Sequence, residues 1–92
     1  MEKTFVKPVI DQTATGKKIK QIRMEQGFSV RDIQNIFGVD YPQAVYAWEQ
    51  GKNVPSIDNL LVLGQLFGVN VDELIVTRQV EVLLEAEMKK SA

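Results

Sequence analysis

SVRDIQNIFGVDYPQAVYAWEQGKNVP, residues Ser29 to Pro55, decides how this chain folds. It reads as two short helices, a tight turn between them, and a Gly-containing loop after the second. Ser29-Val30-Arg31-Asp32 sets a hydroxyl three residues before a carboxylate, a capping-box pattern that starts a helix at Ser29. Val30, Ile33, Ile36 and Phe37 recur at helical spacing and form its expected buried face; Gly38 ends it. Pro42 suits the first position of a following helix, where its missing N–H is no loss. It also pushes Tyr41 toward the extended conformation of an N-cap. That helix runs to about Gln50, and Gly51 stops it. Val45 and Trp48 share its inward face, with Ala44 beside them, while Gln43, Tyr46, Ala47 and Gln50 point outward. Helices joined this closely form a helix-turn-helix.

Upstream, a helix is expected from about Ala14 to Gln26, capped by Thr13 and stopped by Gly27. Ile19, Ile22 and Met24 supply its apolar positions, and Lys17, Lys18 and Lys20 its solvent side. ATGKK has the ending of a phosphate-binding loop, but the Gly that motif needs five residues earlier is Asp11, so the motif is rejected. Downstream, Pro55-Ser56 opens IDNLLVLGQLF, closed by Gly68. Its apolar residues, Ile57, Leu60, Leu61, Leu63, Leu66 and Phe67, cover most of the circumference, the pattern of a helix at the centre of a bundle. Asn70-Val71-Asp72-Glu73 caps a fifth helix running into Leu74 and Ile75.

The two ends are less regular. Residues 1–12 mix Phe5, Val6, Val9 and Ile10 with Lys7 and Pro8, and read as an extended arm or edge strand. In the tail, IVTRQVEV has β-branched character and partial alternation. VEVLLEAEMKK reads as a helix with Val80, Leu83 and Leu84 on one stripe. The expectation is an all-α fold: a compact four- to five-helix bundle with a helix-turn-helix. It has an N-terminal arm (1–12), a domain at 13–76, and a C-terminal tail (77–92) as candidate dimerisation helix.

Composition narrows the function classes. Ninety-two residues with 45% hydrophobic content suit one globular domain. No apolar run approaches the roughly 18 residues of a membrane span, and the N-terminus does not read as a signal peptide, so a cytoplasmic location is expected. The chain contains no Cys and no His. Disulfides, thiolate chemistry and the commonest general base are therefore excluded; no catalytic residue, metal site or cofactor is expected. Net charge is −1, yet it divides unevenly. Through Ser56 there are eight Lys/Arg against six Asp/Glu; from Ile57 onward there are three against six. The positive excess lies in the half that carries the helix pair.

The outward side chains of the third helix suit base readout. Gln43, in its first turn, can donate and accept together, as adenine's major-groove edge requires. Tyr46 can bond a phosphate or pack on a thymine methyl, and Ala47 permits close approach. With Tyr41 and Gln50 they make five candidate base readers. Backbone N–H groups at Ser29, Val30 and Arg31, where the second helix begins, suit phosphate. Lys17, the Arg31 side chain, Lys52 and Asn53 complete the candidate phosphate contacts.

On IKQIRMEQGFS, SVRDIQNIFGV and QAVYAWEQGKNVPSIDNLLVLGQLFGVNVDELI, the chain resembles the lambda-repressor-like, Cro/C1-type (XRE) helix-turn-helix family. The resemblance covers about two-thirds of the chain, and WEQGKNVPS before a leucine-rich helix is its most specific part. It implies a transcriptional regulator that binds double-stranded operator DNA, usually as a homodimer. It also implies a structural ion pair between Arg23 and Glu49, bracing the third helix against the first. One departure stands out: GVDYP makes the turn one residue longer than the common family spacing.

The expected function is therefore a small repressor that inserts helix 3 (about 42–50) into the major groove. The alternative is an antitoxin-like or other protein-interaction module on the same fold, its protein partner held by the C-terminal tail. An enzyme is not expected.

Overall fold

A computed structural model of the protein describes residues 3–38 and 42–84. The elements run β1 (Lys3–Ile10), α1 (Gln12–Glu25), α2 (Val30–Phe37), α3 (Pro42–Glu49), α4 (Ile57–Phe67), α5 (Val71–Leu74) and β2 (Thr77–Leu84). Among the described residues five helices form the bundle, and two strands pair antiparallel. The fold is thus not purely α.

Helices α1, α2, α4 and α5 start where a side chain bonds a backbone N–H left without a partner inside the helix. At α1 the cap is Asp11, whose Oδ1 accepts from the Ala14 N–H at 2.9 Å, and not Thr13. A carboxylate just upstream outcompetes the threonine hydroxyl, so the helix begins before Ala14. At α2 both halves of the capping box form: Ser29 Oγ accepts from the Asp32 N–H at 3.0 Å, and the Ser29 N–H donates to Asp32 Oδ2 at 2.8 Å. Gly38 closes α2 in the left-handed conformation, φ 69°. Ser56 caps α4 through the Asn59 N–H. The Asn70 N–H donates to Glu73 Oε2 at 2.7 Å at the start of α5.

The core is one cluster: Ile19, Ile22, Ile33, Val45, Trp48, Leu60, Leu63, Phe67 and Leu74. Burying side chains of this size at about 25 cal/mol per Å2 of apolar surface is the main stabilising term for a chain this short. Phe37 meets Trp48 edge-on at 5.5 Å, locking α2 to α3. Several apolar positions expected inside are outside. Ile36 and Met24 are exposed, and α4 is not enclosed on all sides: Ile57 and Leu61 face solvent. The surrounding elements bury Leu60, Leu63, Gly64 and Phe67 of α4 and partly cover Leu66, leaving the opposite side open.

The larger correction is at the termini. The segment carrying Val80, Leu83 and Leu84 is strand β2, not a helix; the rest of the tail, 85–92, lies outside the described residues. Phe5 pairs with Val82, Lys7 with Val80 and Val9 with Arg78. Alternating β-branched residues with a partner strand override local helix character. The ribbon packs almost entirely against itself, and none of its residues is buried. Its base is tied to α1: the Asp11 N–H donates to the Val76 carbonyl at 2.8 Å. The buried Thr15 hydroxyl donates to that carbonyl at 3.2 Å and accepts from the Val76 N–H at 3.0 Å.

Candidate nucleic-acid interface

The third helix is held from behind by apolar packing and by one ion pair. Val45 and Trp48 are buried on its inner face. From α1, Arg23 Nε donates to Glu49 Oε2 at 2.6 Å and Nη2 to Oε1 at 3.0 Å, a bidentate contact in which both side chains are nearly enclosed. The remaining Nη1 donates to the Phe28 carbonyl at 2.9 Å. The Glu49 carboxylate, mainly through these hydrogen bonds, raises the Arg23 pKa further above its already high value. Arg23 stays cationic, and its contact with Glu49 fixes the end of α3 against α1 and the α1–α2 turn.

The same junction depends on Gly16. Its α-carbon faces the last turn of α3 so closely that a Cβ there would lie 2.2 Å from the Trp48 carbonyl oxygen. The residue with the look of a phosphate-loop glycine is a packing glycine. The end of α3 is then closed by the Gly51 N–H on the Trp48 carbonyl at 3.1 Å and the Lys52 N–H on the Ala47 carbonyl at 2.9 Å.

With its back fixed, α3 presents Gln43, Tyr46, Ala47 and Gln50 outward, at the i, i+3, i+4, i+7 spacing of one helix face. Gln43, Tyr46 and Gln50 are exposed, and Ala47 is half-buried. Tyr41, and with it the longer turn at 39–41, lies outside the described residues. Lys52 and Asn53 are exposed in the loop after α3. Lys17 is exposed on α1, next to the Gly16 contact with α3, and Arg31 is exposed in the first turn of α2.

At the start of α2, the cap already uses two of the groups suited to phosphate. The Ser29 N–H and hydroxyl are both bonded to Asp32. Those bonds, from the Ser29 backbone first, hold the Asp32 carboxyl below its ordinary pKa, so a negative charge sits at this helix end. The first-turn N–H groups of Val30 and Arg31 remain for an incoming anion. Val30's side chain packs on the core.

Three cations that the sequence pattern does not single out, Lys3, Lys7 and Arg78, fall on one face of the ribbon by its register. Their grouping depends on the pairing of β1 with β2, which no local pattern reveals. Among the described residues no cluster of acidic, His or Cys side chains is arranged to hold a metal. Among those residues, too, no helix is long and apolar enough to cross a membrane.

A family model described as "Helix-turn-helix domain" matches residues 16–80. The chain belongs to the Cro/C1-type helix-turn-helix family. Similar solved structures are those of a restriction-modification controller protein and of a DNA-binding domain. The restriction-modification controller protein C.AhdI from Aeromonas hydrophila is 25% identical, with a TM-score of 0.62, over 70% of this chain and 96% of that one. The DNA-binding domain of BldD from S. venezulae is 26% identical, with a TM-score of 0.59, over 71% of this chain and 96% of that one. No curated protein matches the chain significantly. The matched region takes in α1 from Gly16 onward, the whole of α2 to α5 and, at its C-terminal end, the first half of β2.

Proposed function

We propose that this protein is a sequence-specific DNA-binding transcriptional regulator, a small repressor that inserts α3 into the major groove of operator DNA as a homodimer in the cytoplasm. The observation that carries this reading is the division of α3. One face is fixed by Val45, Trp48 and the Arg23–Glu49 pair, and the other offers Gln43, Tyr46, Ala47 and Gln50 to a partner. A readout helix needs this combination, because side chains must reach base edges from a rigid backbone. Gln43 matches adenine, and Tyr46 a phosphate or a thymine methyl. Lys17, Arg31, Lys52 and Asn53, with the Val30 and Arg31 N–H groups, set the position on the phosphates. The BldD domain is named as DNA-binding, which agrees. No catalytic role is assigned to any residue.

Selection of bound duplexes from a random pool tests this directly. Enrichment of two inverted half-sites about one helical turn apart is the expected result. No enrichment at about 100 mM salt would sink the reading.

A second reading has one observation of its own. Ile36, Leu61, Val62 and Leu66 line a shallow apolar groove with Gln65, and Ile57 lies exposed on the same helix. An exposed patch of this kind suits a protein partner. A stoichiometric partner bound there, together with failure of the DNA selection, would replace the repressor reading by that of an interaction module.

A further inference from the structure

The ribbon is built as an unfinished sheet. Two eight-residue strands at about 3.4 Å per residue extend roughly 27 Å, about half of the 53 Å length of the molecule. An isolated two-stranded ribbon is marginal in water. This one leaves Phe5, Val6, Ile10 and Leu83 between 40% and 55% exposed.

Its two outer edges differ. Pro8 stands opposite Gln79. Having no N–H, Pro8 fits the ladder only where that position faces away from β2. The outer edge of β1 is therefore interrupted at its middle. By the same alternation, Thr77, Gln79, Glu81 and Leu83 turn their backbone N–H and C=O groups outward from β2. That edge holds no proline, so every outward donor is present.

We infer that β2 pairs with β2 of a second copy, antiparallel about a two-fold axis through Val80, to give a four-stranded sheet in the order β1-β2-β2-β1. A two-fold perpendicular to the sheet keeps like faces together, so facing residue numbers must sum to an even number. Centring on Val80 sets Gln79 against Glu81 and Arg78 against Val82, with no like charges opposed. Centring on Glu81 sets two carboxylates face to face, which is unfavourable. Charge selects the first register from two of equal overlap. In it, the Gln79–Glu81 pairs exchange backbone hydrogen bonds, and the two Val80 residues form the close, non-hydrogen-bonded pair.

The inference rests on the homodimer part of the proposed function, but not on DNA recognition. The chain has no cysteine, so Val80→Cys introduces a unique thiol. In the expected sheet the two Cα atoms stand about 4.5 Å apart, within disulfide range. Mild oxidation of the full chain should give a reducible covalent dimer for Val80→Cys and none for Val6→Cys on the outer strand. Gln79→Pro, which removes an outward N–H while sparing the β1–β2 ladder, should abolish the dimer in sedimentation at concentrations where the parent chain is dimeric. A monomeric parent chain would overturn both the dimer and this interface. A dimer that survives Gln79→Pro, fails to cross-link at Val80 and cross-links at Leu61→Cys would place the contact on α4. That result overturns the inference alone and leaves the DNA-binding reading standing.

Discussion

Gly16 and Trp48 stand closer than any other residue could allow: a methyl group at position 16 would lie 2.2 Å from the Trp48 carbonyl oxygen. The obstructing atom is backbone, in the last turn of α3, so it cannot swing aside. Gly16→Ala gains about 1 kcal/mol of helix propensity at most. It must then push α3 off α1, an overpacking cost of about 1–3 kcal/mol or more. The expected result is a net loss of stability and a thermal midpoint several degrees lower, measured by calorimetry. Because the helix that moves is the proposed reader, operator affinity should also fall in the fraction that remains folded.

The Arg23–Glu49 pair makes a prediction about asymmetry. Removing one partner leaves the other charge enclosed, so Arg23→Met or Glu49→Gln alone should cost about 3–5 kcal/mol in urea unfolding. Replacing both by apolar residues of similar volume should recover most of that, since no charge is then stranded. A double variant as unstable as the sum of the singles would show that the pair's worth lies elsewhere.

Asp32 ties stability to pH in a defined direction. Its folded pKa is lowered, by the Ser29 N–H above all, so its ionised form stabilises the native state. That contribution is fully present above the ordinary aspartate value near 4 and is lost as pH falls through that range toward the lower folded value. Asp32→Asn should therefore be less stable than the parent near neutrality, with the difference shrinking on acidification. The same substitution removes a negative charge from the end of α2. If phosphate approaches the Val30 and Arg31 N–H groups, DNA affinity should rise while stability falls, a pairing that a purely structural role would not give.

Much of this fold is written locally. Ser29, Ser56 and the glycines after α2 and α4 mark helix ends through their own side chains or φ values, so caps and periodicity locate the bundle. What local pattern misses is non-local. Val80 and Val82 alternate, yet the strand they form exists because Lys7 and Phe5, more than seventy residues away, pair with them. Leu61 and Ile57 read as core because apolarity around a helix says nothing of which elements arrive to cover it. Gly16 carries no signal in its own segment; only the carbonyl of Trp48 explains it. In the candidate site, the outward face of α3 follows from spacing, whereas Ser29's engagement with Asp32 limits it as a phosphate donor in a way only the bond geometry reveals.

The proposed readers and positioners should separate in binding experiments. Gln43 is exposed in the first turn of α3 and lies outside the core cluster, so Gln43→Ala should leave the unfolding curve unchanged. If Gln43 reads an adenine, the substitution costs about 1–3 kcal/mol against the operator and relaxes preference at one position of each half-site. Lys52 lies beyond the end of α3, its backbone N–H already bound to Ala47 and its side chain exposed to reach outward. Lys52→Ala should weaken operator and unrelated DNA by similar factors. It should also reduce the slope of log affinity against log salt by about one for each phosphate that is no longer neutralised. Fluorescence anisotropy on operator and scrambled duplexes, between about 50 and 200 mM salt, measures both quantities. A Gln43→Ala protein that loses affinity equally on both duplexes would remove Gln43 from the readers and place it with Lys52 on the backbone.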